Sequence, residues 1–359
     1  MKHHIDKSGA RPAYLQLYTQ LREDIVQTVF PFGTKLPSKR LLAEELGVSV
    51  ITVEHAYAIL CDEGYAEARQ RSGYYVIYRA GELLSVAEPP LQSAIPPRTH
   101  ASDSTFSYAQ LAKTMRKVLA DYGERVLIKS PNHGCAELRT AISAYLARSQ
   151  GISVRAEQII IGSGAEYLYS LLAQWFRTKR VFALEDPSYE KIRRVYLANG
   201  IECDLLELGA DGIKSGALAR TNATVLHITP FESYPSGVTA SASKRAEYLH
   251  WAEKRQGILI EDNYNAELSV STKNEDTLFS LSKNGSVIYL NTFSQTVAPS
   301  LRVGYMVLPE RLTADFDKEL GFYSCTVPVF DQYVLAELLQ SGDFERHINR
   351  VRRFKRKNA

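Results

Sequence analysis

The sequence is short of the features that would place it in a membrane, in an oxidising compartment or around a structural metal. No stretch approaches eighteen consecutive apolar residues, so no transmembrane helix is expected. The amino terminus, MKHHIDKSGARPAYLQ, has no apolar run of signal-peptide length, and a soluble, cytoplasmic chain is the expectation. Cys61, Cys135, Cys203 and Cys325 lie far apart, with no CxxC pair and no histidine at ligand spacing. That excludes a zinc site and a disulfide framework, and leaves four reduced thiols. Charge of one sign is scarce too: 43 Lys and Arg against 40 Asp and Glu leave a net +3, which neither supports nor excludes nucleic acid. Where the charge lies has to decide that. Internal repeats and low-complexity tracts are also missing.

What is present is enough apolar material for two folded units, since 359 residues exceed what one hydrophobic core usually serves. From Pro12 to Phe30, apolar residues at Tyr14, Leu15, Leu17, Leu21, Ile25 and Val26 recur at helical spacing, with Pro12 suited to a first turn. Ser38 is placed to cap a second helix, KRLLAEEL, which Gly47 ends in a left-handed conformation. Ser49 caps a third, VITVEHAYAILCDEG, whose inward stripe is Val53, Ala56, Tyr57 and Leu60. The alternating AEARQRSGYYVIY around Ser72 and Gly73 predicts a β-hairpin. Three helices and a hairpin make a winged helix-turn-helix over residues 1–79. A Pro-, Ser- and Ala-rich tether is expected over residues 80–105, followed by a second domain over 106–359. There, QIIIG, RVFALED, ATVLHIT, GILIED, SVIYLNTF and VGYMVL alternate with helical patterns, which predicts an α/β fold with a mainly parallel sheet.

In a helix-turn-helix the second helix of the pair enters the major groove by its amino-terminal end, here Ser49, Val50, Ile51 and Thr52. Lys35, Lys39 and Arg40 precede or open the supporting helix and Arg69 and Arg71 flank the wing, so phosphate-seeking charge lies on both sides. LPSKRLLAEELGVSVITVEHAYAILCDEGY followed by ARQRSGYYV resembles the winged helix of the GntR family. The resemblance implies that Arg40, Ser49, Thr52 and the Arg71-to-Gly73 wing contact a double-stranded DNA operator, and the placement of charge adds Lys35 and Arg69 as phosphate-binding candidates. Relatives commonly carry polar or basic residues where this chain has Val50 and Glu54, and Glu54 would repel a phosphate. The basic run from Arg346 to Lys357 reads as a solvated helix face rather than a second DNA arm.

A pyridoxal phosphate site needs an amine for the imine, an acid beside the pyridine nitrogen, a ring stacker and phosphate donors. GILIEDNYNAEL puts Asp262 and Tyr264 at a strand end, where open α/β sheets hold ligands. The backbone N–H groups of Ser163, Gly164 and Ala165 in a glycine turn before a helix are candidates for cradling a phosphate. Tyr189 follows another strand as a ring stacker would, and Thr292, Ser294 and Arg302 are further phosphate donors. Together these segments resemble fold type I aminotransferases, and the domain order resembles the MocR subfamily of GntR regulators. The resemblance implies a homodimer and a small-molecule effector, and it sets Gln295 where relatives carry the imine-forming lysine.

An amide cannot form a Schiff base, so pyridoxal phosphate is expected at most non-covalently and transamination is not expected. Lys191 stands where relatives that bind an amino-acid carboxylate have arginine, and is the candidate effector residue, as a weaker, monodentate partner. Glu166, beside the glycine turn, would oppose an anion. The chain stops after the helix that leads into the C-terminal small subdomain of such folds, so that subdomain is expected to be missing. A DNA-binding regulator, an aminotransferase with an added DNA-binding domain, and a regulator whose second domain is a ligand-free dimerisation scaffold remain as readings. Gln295 discriminates the aminotransferase from the regulator, and the missing C-terminal part supports the scaffold.

Overall fold

The computed structural model describes residues 5–6, 11–69, 72–79, 106–176, 180–264, 266–269 and 276–358. The chain divides into two compact units, Met1–Arg98 and Thr99–Ala359. The segment read as a tether, 80–105, lies outside the described residues, as does Arg71.

In the first unit, helix α1 spans Ala13–Val26, α2 Lys39–Leu46 and α3 Val50–Asp62, followed by strands β1, Ala66–Arg69, and β2, Gly73–Val76. Both expected caps form: Ser38 Oγ accepts from the Leu41 N–H at 3.2 Å, and Ser49 Oγ from the Thr52 N–H at 3.1 Å. Gly47 closes α2 at φ 61°. Leu17, Leu21, Val53, Ala56, Tyr57 and Leu60 are wholly buried, and each large apolar side chain so placed contributes about 1.5–3 kcal/mol. Helix α1 ends at Val26, earlier than its apolar pattern suggests, because Thr28 takes φ 60°, which no right-handed helix continues. The hairpin gains a bridge from Lys35 to Tyr75, which ties the segment before α2 to the wing.

In the second unit the order is α4 (Tyr108–Tyr122), α5 (Ala136–Gln150), β3 (Ile159–Gly162), α6 (Ala165–Phe176), β4 (Phe182–Asp186), α7 (Glu190–Ala198), β5 (Cys203–Gly209) and β6 (Gly212–Ile213). It continues with α8 (Ser215–Arg220), β7 (Val225–Ile228), α9 (Ala242–Arg255), β8 (Ile258–Asp262), α10 (Leu278–Leu281), β9 (Val287–Thr292) and β10 (Gly304–Val307). Helices α11 (Glu310–Leu320), α12 (Val329–Gln340) and α13 (Asp343–Asn358) follow. The strands form one sheet in the order β3-β10-β9-β8-β7-β4-β5-β6. Neighbours from β9 through β5 are parallel, while β10 runs antiparallel to both β3 and β9, and β6 to β5.

Successive strand residues point to opposite faces. Ile159, Ile161, Tyr289, Tyr305 and Val307 therefore join one core with α5 and α12, and Ile160, Ile288, Leu290 and Met306 join the other with α6. Both faces are covered, as a parallel sheet requires. Helix α13 buries Phe344, Ile348 and Val351 and turns most of its basic residues outward, as the solvated-face reading expects. Among the described residues, no helix is long and apolar enough to cross a membrane.

Candidate functional site

Two places gather the residues singled out above. On the first unit, the opening turn of α3 presents Val50 and Ile51 to solvent, Ile51 at 64% exposure. Exposed apolar side chains at that position cost nothing in the fold and can pack against a partner. Ser49 and Thr52 hold each other there, their hydroxyl oxygens 2.8 Å apart. Glu54, one turn on, is paired with Lys39 of α2 at 2.7 Å, which lowers its carboxyl below the usual range through that hydrogen bond. The repulsion expected of Glu54 is thus offset by a cation brought from the neighbouring helix. Arg40 is exposed in the first turn of α2, and Lys35 is exposed just before it. On the wing, the Arg69 guanidinium lies 4.3 Å from the Tyr75 ring centre and donates to Glu67 at 2.7 Å. Gly73 has φ 115°, a backbone conformation that L side chains rarely adopt, so the wing turn needs glycine.

The second place follows from strand direction. The parallel strands β4, β7, β8 and β9 all end on one edge of the sheet. Because β10 is antiparallel to both its neighbours, β3 also ends there and β10 begins there. That edge therefore collects Tyr189, Thr229, Asp262, Tyr264, Thr292, Ser294, Gln295 and Arg302, and the amino-terminal end of α6. Together with Ala165, Glu166, Tyr169, Ile192 and Tyr234 they line a cleft of about 260 Å³. It is smaller than the ~300–1,000 Å³ of pockets for drug-sized ligands, and suits a single-ring molecule.

Asp262 forms its floor, 2% exposed. Its Oδ2 accepts from the Tyr169 hydroxyl, its Oδ1 from the Tyr264 N–H at 3.2 Å, and His227 Nε2 stands 3.5 Å away. His227 Nδ1 lies 2.8 Å from the Tyr196 hydroxyl. A carboxylate facing Nε2 favours the tautomer protonated there, so the Tyr196 O–H donates to Nδ1. Burial, then the Asp262 charge, push the Tyr169 phenol well above its ordinary range, so it stays a donor. Beside this network, Glu185 accepts from the Ser233 hydroxyl at 2.8 Å and is pushed up to about 8 by burial. Tyr189 and Tyr234 form the rim, their ring centres 6.0 Å apart and nearly perpendicular.

At the other end of the cleft several of the expected phosphate donors are engaged within the chain. The Gly164 N–H donates to the Gly162 carbonyl at 2.8 Å. The Thr292 hydroxyl lies 3.1 Å from the Val303 carbonyl, and the Ser294 hydroxyl donates to the Leu301 carbonyl at 3.3 Å. The Ser163 hydroxyl accepts from Thr326 at 2.9 Å. Arg302 and Lys191 both reach the Glu166 carboxylate, Arg302 Nη2 at 3.3 Å and Lys191 Nζ at 2.9 Å. Glu166 was expected to oppose an anion; it also occupies the two cations an anion would use. Gln295 is exposed on the wall, and no lysine is among the described residues lining the cleft. Asp262, Tyr264 and Tyr189 thus stand together in the cleft, while Arg302, Lys191, Thr292, Ser294 and the Gly164 N–H already have partners within the chain.

Sequence reasoning brought Asp262, Tyr264, Tyr189 and Arg302 to this edge but missed Tyr169, His227, Tyr196 and Glu185. Their positions in regular helices and strands read as ordinary core, and only the tertiary fold sets Tyr169 on Asp262, His227 between Asp262 and Tyr196, and Glu185 against Ser233.

Known proteins resemble both units. Residues 13–76 match bacterial regulatory proteins of the gntR family, and residues 102–358 match aminotransferase class I and II. The uncharacterized HTH-type transcriptional regulator YdeL of Bacillus subtilis is 33% identical over 96% of this chain and 77% of its own length. The probable rhizopine catabolism regulatory protein MocR of Rhizobium meliloti is 27% identical over 97% of this chain and 76% of its own. Among solved structures, a kynurenine aminotransferase of Pyrococcus horikoshii is similar over 70% of this chain and 65% of its own, with 25% identity and a TM-score of 0.64. The chain thus spans about three quarters of these regulators and slightly less than two thirds of that aminotransferase. The likeness agrees with the fold expected from sequence, a winged helix-turn-helix joined to a fold type I aminotransferase-like α/β domain.

Proposed function

Since the chain belongs to the gntR family of bacterial regulatory proteins, with an aminotransferase class I and II domain behind its helix-turn-helix, we propose that it regulates transcription as a homodimer whose large domain is a receptor rather than an enzyme. The observation that carries this reading is the exposed first turn of α3, flanked by cations of α2 and the wing. Lys35, Arg40, Arg69 and Arg71 take phosphates. Ser49, Thr52, Val50 and Ile51 face base edges, and the two apolar side chains suit the methyl groups of thymine. Dimerisation then matches two half-sites.

In the large domain, transamination has no amine to start from, because Gln295 stands at the imine position. Asp262 and Tyr264, with Tyr189 at the rim, are left to hold and orient a ring non-covalently, and the Tyr169 hydroxyl and the Tyr264 N–H fix the Asp262 carboxylate for that purpose. A bound pyridoxal phosphate would supply electron-sink chemistry, but among the described residues lining the cleft no lysine offers a covalent tether for it. The alternative reading, an aminotransferase carrying a DNA-binding domain, rests on the same Asp262 and Tyr264.

Footprinting of the full chain on duplex DNA from upstream of its own gene tests the proposal. Protection of two related half-sites, with no conversion of amino acids to oxo acids when pyridoxal phosphate is supplied, is expected. Turnover of amino acids without sequence-selective protection would establish the enzyme reading instead.

A further inference from the structure

The cleft is built asymmetrically. At its floor, Asp262 is nearly wholly buried and its carboxylate is fixed by hydrogen bonds from the Tyr169 hydroxyl and the Tyr264 N–H, with His227 Nε2 3.5 Å away and not hydrogen-bonded to it. A carboxylate held so rigidly beside Tyr189 and Tyr264 suits a flat ring that presents an N–H or a protonated ring nitrogen, because charge-assisted hydrogen bonds are the strong ones. At its far end the two cations, the two hydroxyls and the Gly164 N–H that would attract an anion are already engaged within the chain. Glu166 lies in the first turn of α6, where a negative charge is favoured by the helix dipole, and its two oxygens face Lys191 and Arg302 on opposite sides. Thr292, Ser294 and the Gly164 N–H are committed to backbone carbonyls. A Cβ at Gly164 would stand 3.0 Å from Nη2 of Arg302, so glycine is what lets the guanidinium lie this close to the turn.

We propose that the Glu166 carboxylate is a built-in replacement for a ligand phosphate, so that the cleft selects a phosphate-free heteroaromatic ring, held at its ring nitrogen by Asp262. This rests on the receptor reading of the cleft. A phosphate ester entering the same end would meet the Glu166 charge at close range and would have to draw both cations away from it. A neutral hydroxymethyl group in that place meets neither cost. The selection acts against the phosphorylated form of a ring that the floor would otherwise accept.

Calorimetric titration of the full chain with pyridoxine and with pyridoxine 5′-phosphate, neither of which carries an aldehyde to react with surface amines, tests this directly. Wild-type protein is expected to bind pyridoxine at least as tightly as its phosphate ester. In Glu166→Gln the ester should gain about tenfold or more while pyridoxine changes little, the expected effect of removing one like charge some ~4 Å away in a partly exposed site. Asp262→Asn should weaken both compounds. Glu166 is a surface residue whose side chain is 41% exposed, so its substitution leaves the core untouched, and Glu166→Ser gives an independent second variant. Wild-type preference for the ester by tenfold or more overturns the selection while leaving the receptor reading in place. Failure of every variant to bind either compound overturns both.

Discussion

Removing the Arg40 guanidinium should weaken DNA binding in a way that only a phosphate contact explains. Arg40 is exposed in the first turn of α2, so Arg40→Ala leaves the core of Leu17, Leu21, Tyr57 and Leu60 intact. Folding stability is then expected to change by less than about 0.5 kcal/mol, as for exposed sites without special partners. Each neutralised phosphate contributes about −0.9 to the slope of log affinity against log salt on duplex DNA. Lys35, Arg40, Arg69 and Arg71, the four cations proposed to take phosphates, therefore supply a slope of about −3.6 per bound unit. Arg40→Ala should bring this to about −2.7, so that a fourfold rise in salt costs the variant about 3.5-fold less affinity per unit than it costs the wild type. Fluorescence anisotropy of a labelled duplex between 50 and 200 mM salt measures both slopes, with thermal melting as the control. An unchanged slope at unchanged stability would refute the docking of α2 on the DNA backbone.

Three further outcomes follow from the same geometry. Ile51→Ala should lower affinity for the protected site, and replacing thymine by uracil in that site should cost wild-type protein several-fold but the variant little, since each removes one side of the same methyl contact. Treatment with pyridoxal phosphate and borohydride, followed by peptide mass spectrometry, should leave residue 295 unlabelled in the wild type and labelled in Gln295→Lys; label at another residue of the cleft in the wild type would refute the loss of covalent attachment. Glu185 is held protonated up to about pH 8 by burial, whereas an unfolded carboxyl ionises near 4.5. Its contribution to stability is therefore complete below pH 4.5 and is lost as pH rises toward 8, so Glu185→Gln, melted across that range, should lose less stability with rising pH than the wild type. An identical pH dependence would place Glu185 in a solvated site.

The parts legible in the sequence are those decided by neighbours in the chain. The caps at Ser38 and Ser49, the left-handed Gly47 and the inward stripe of α3 are all set within a few residues, and all stand as expected. The core strands are visible because they are buried on both faces. Strand β5 is not, since only Leu206 along it is buried and CDLLELG therefore has no clear period. The reach of α1 was overstated because the apolar pattern runs on past Thr28, where the backbone turns left-handed. Glu166 shows the limit for the site: its local setting reads as repulsive, while the partners that settle it lie 25 and 136 residues away in the chain. Asp262 could be placed from its strand end alone, but the Tyr169, His227 and Tyr196 that surround it needed the assembled sheet.

The antiparallel insertion of β10 between β3 and β9 also bears on the order in which the molecule comes into being. Gly162 of β3 pairs with Gly304 of β10, so the wall that carries Arg302 cannot close until the last third of the sequence is available. Such distant pairings are slow to form, because a long loop must be ordered before any contact rewards it. Among the described residues the core of the winged helix is built within residues 5–79 and can form as soon as that segment leaves the ribosome. At ~5–20 residues per second, synthesis of the remaining 280 residues takes about 15–55 s. During that interval a nascent chain presents a finished DNA-reading head with no finished ligand cleft behind it. Any control that the ligand exerts over the operator therefore begins later than binding itself.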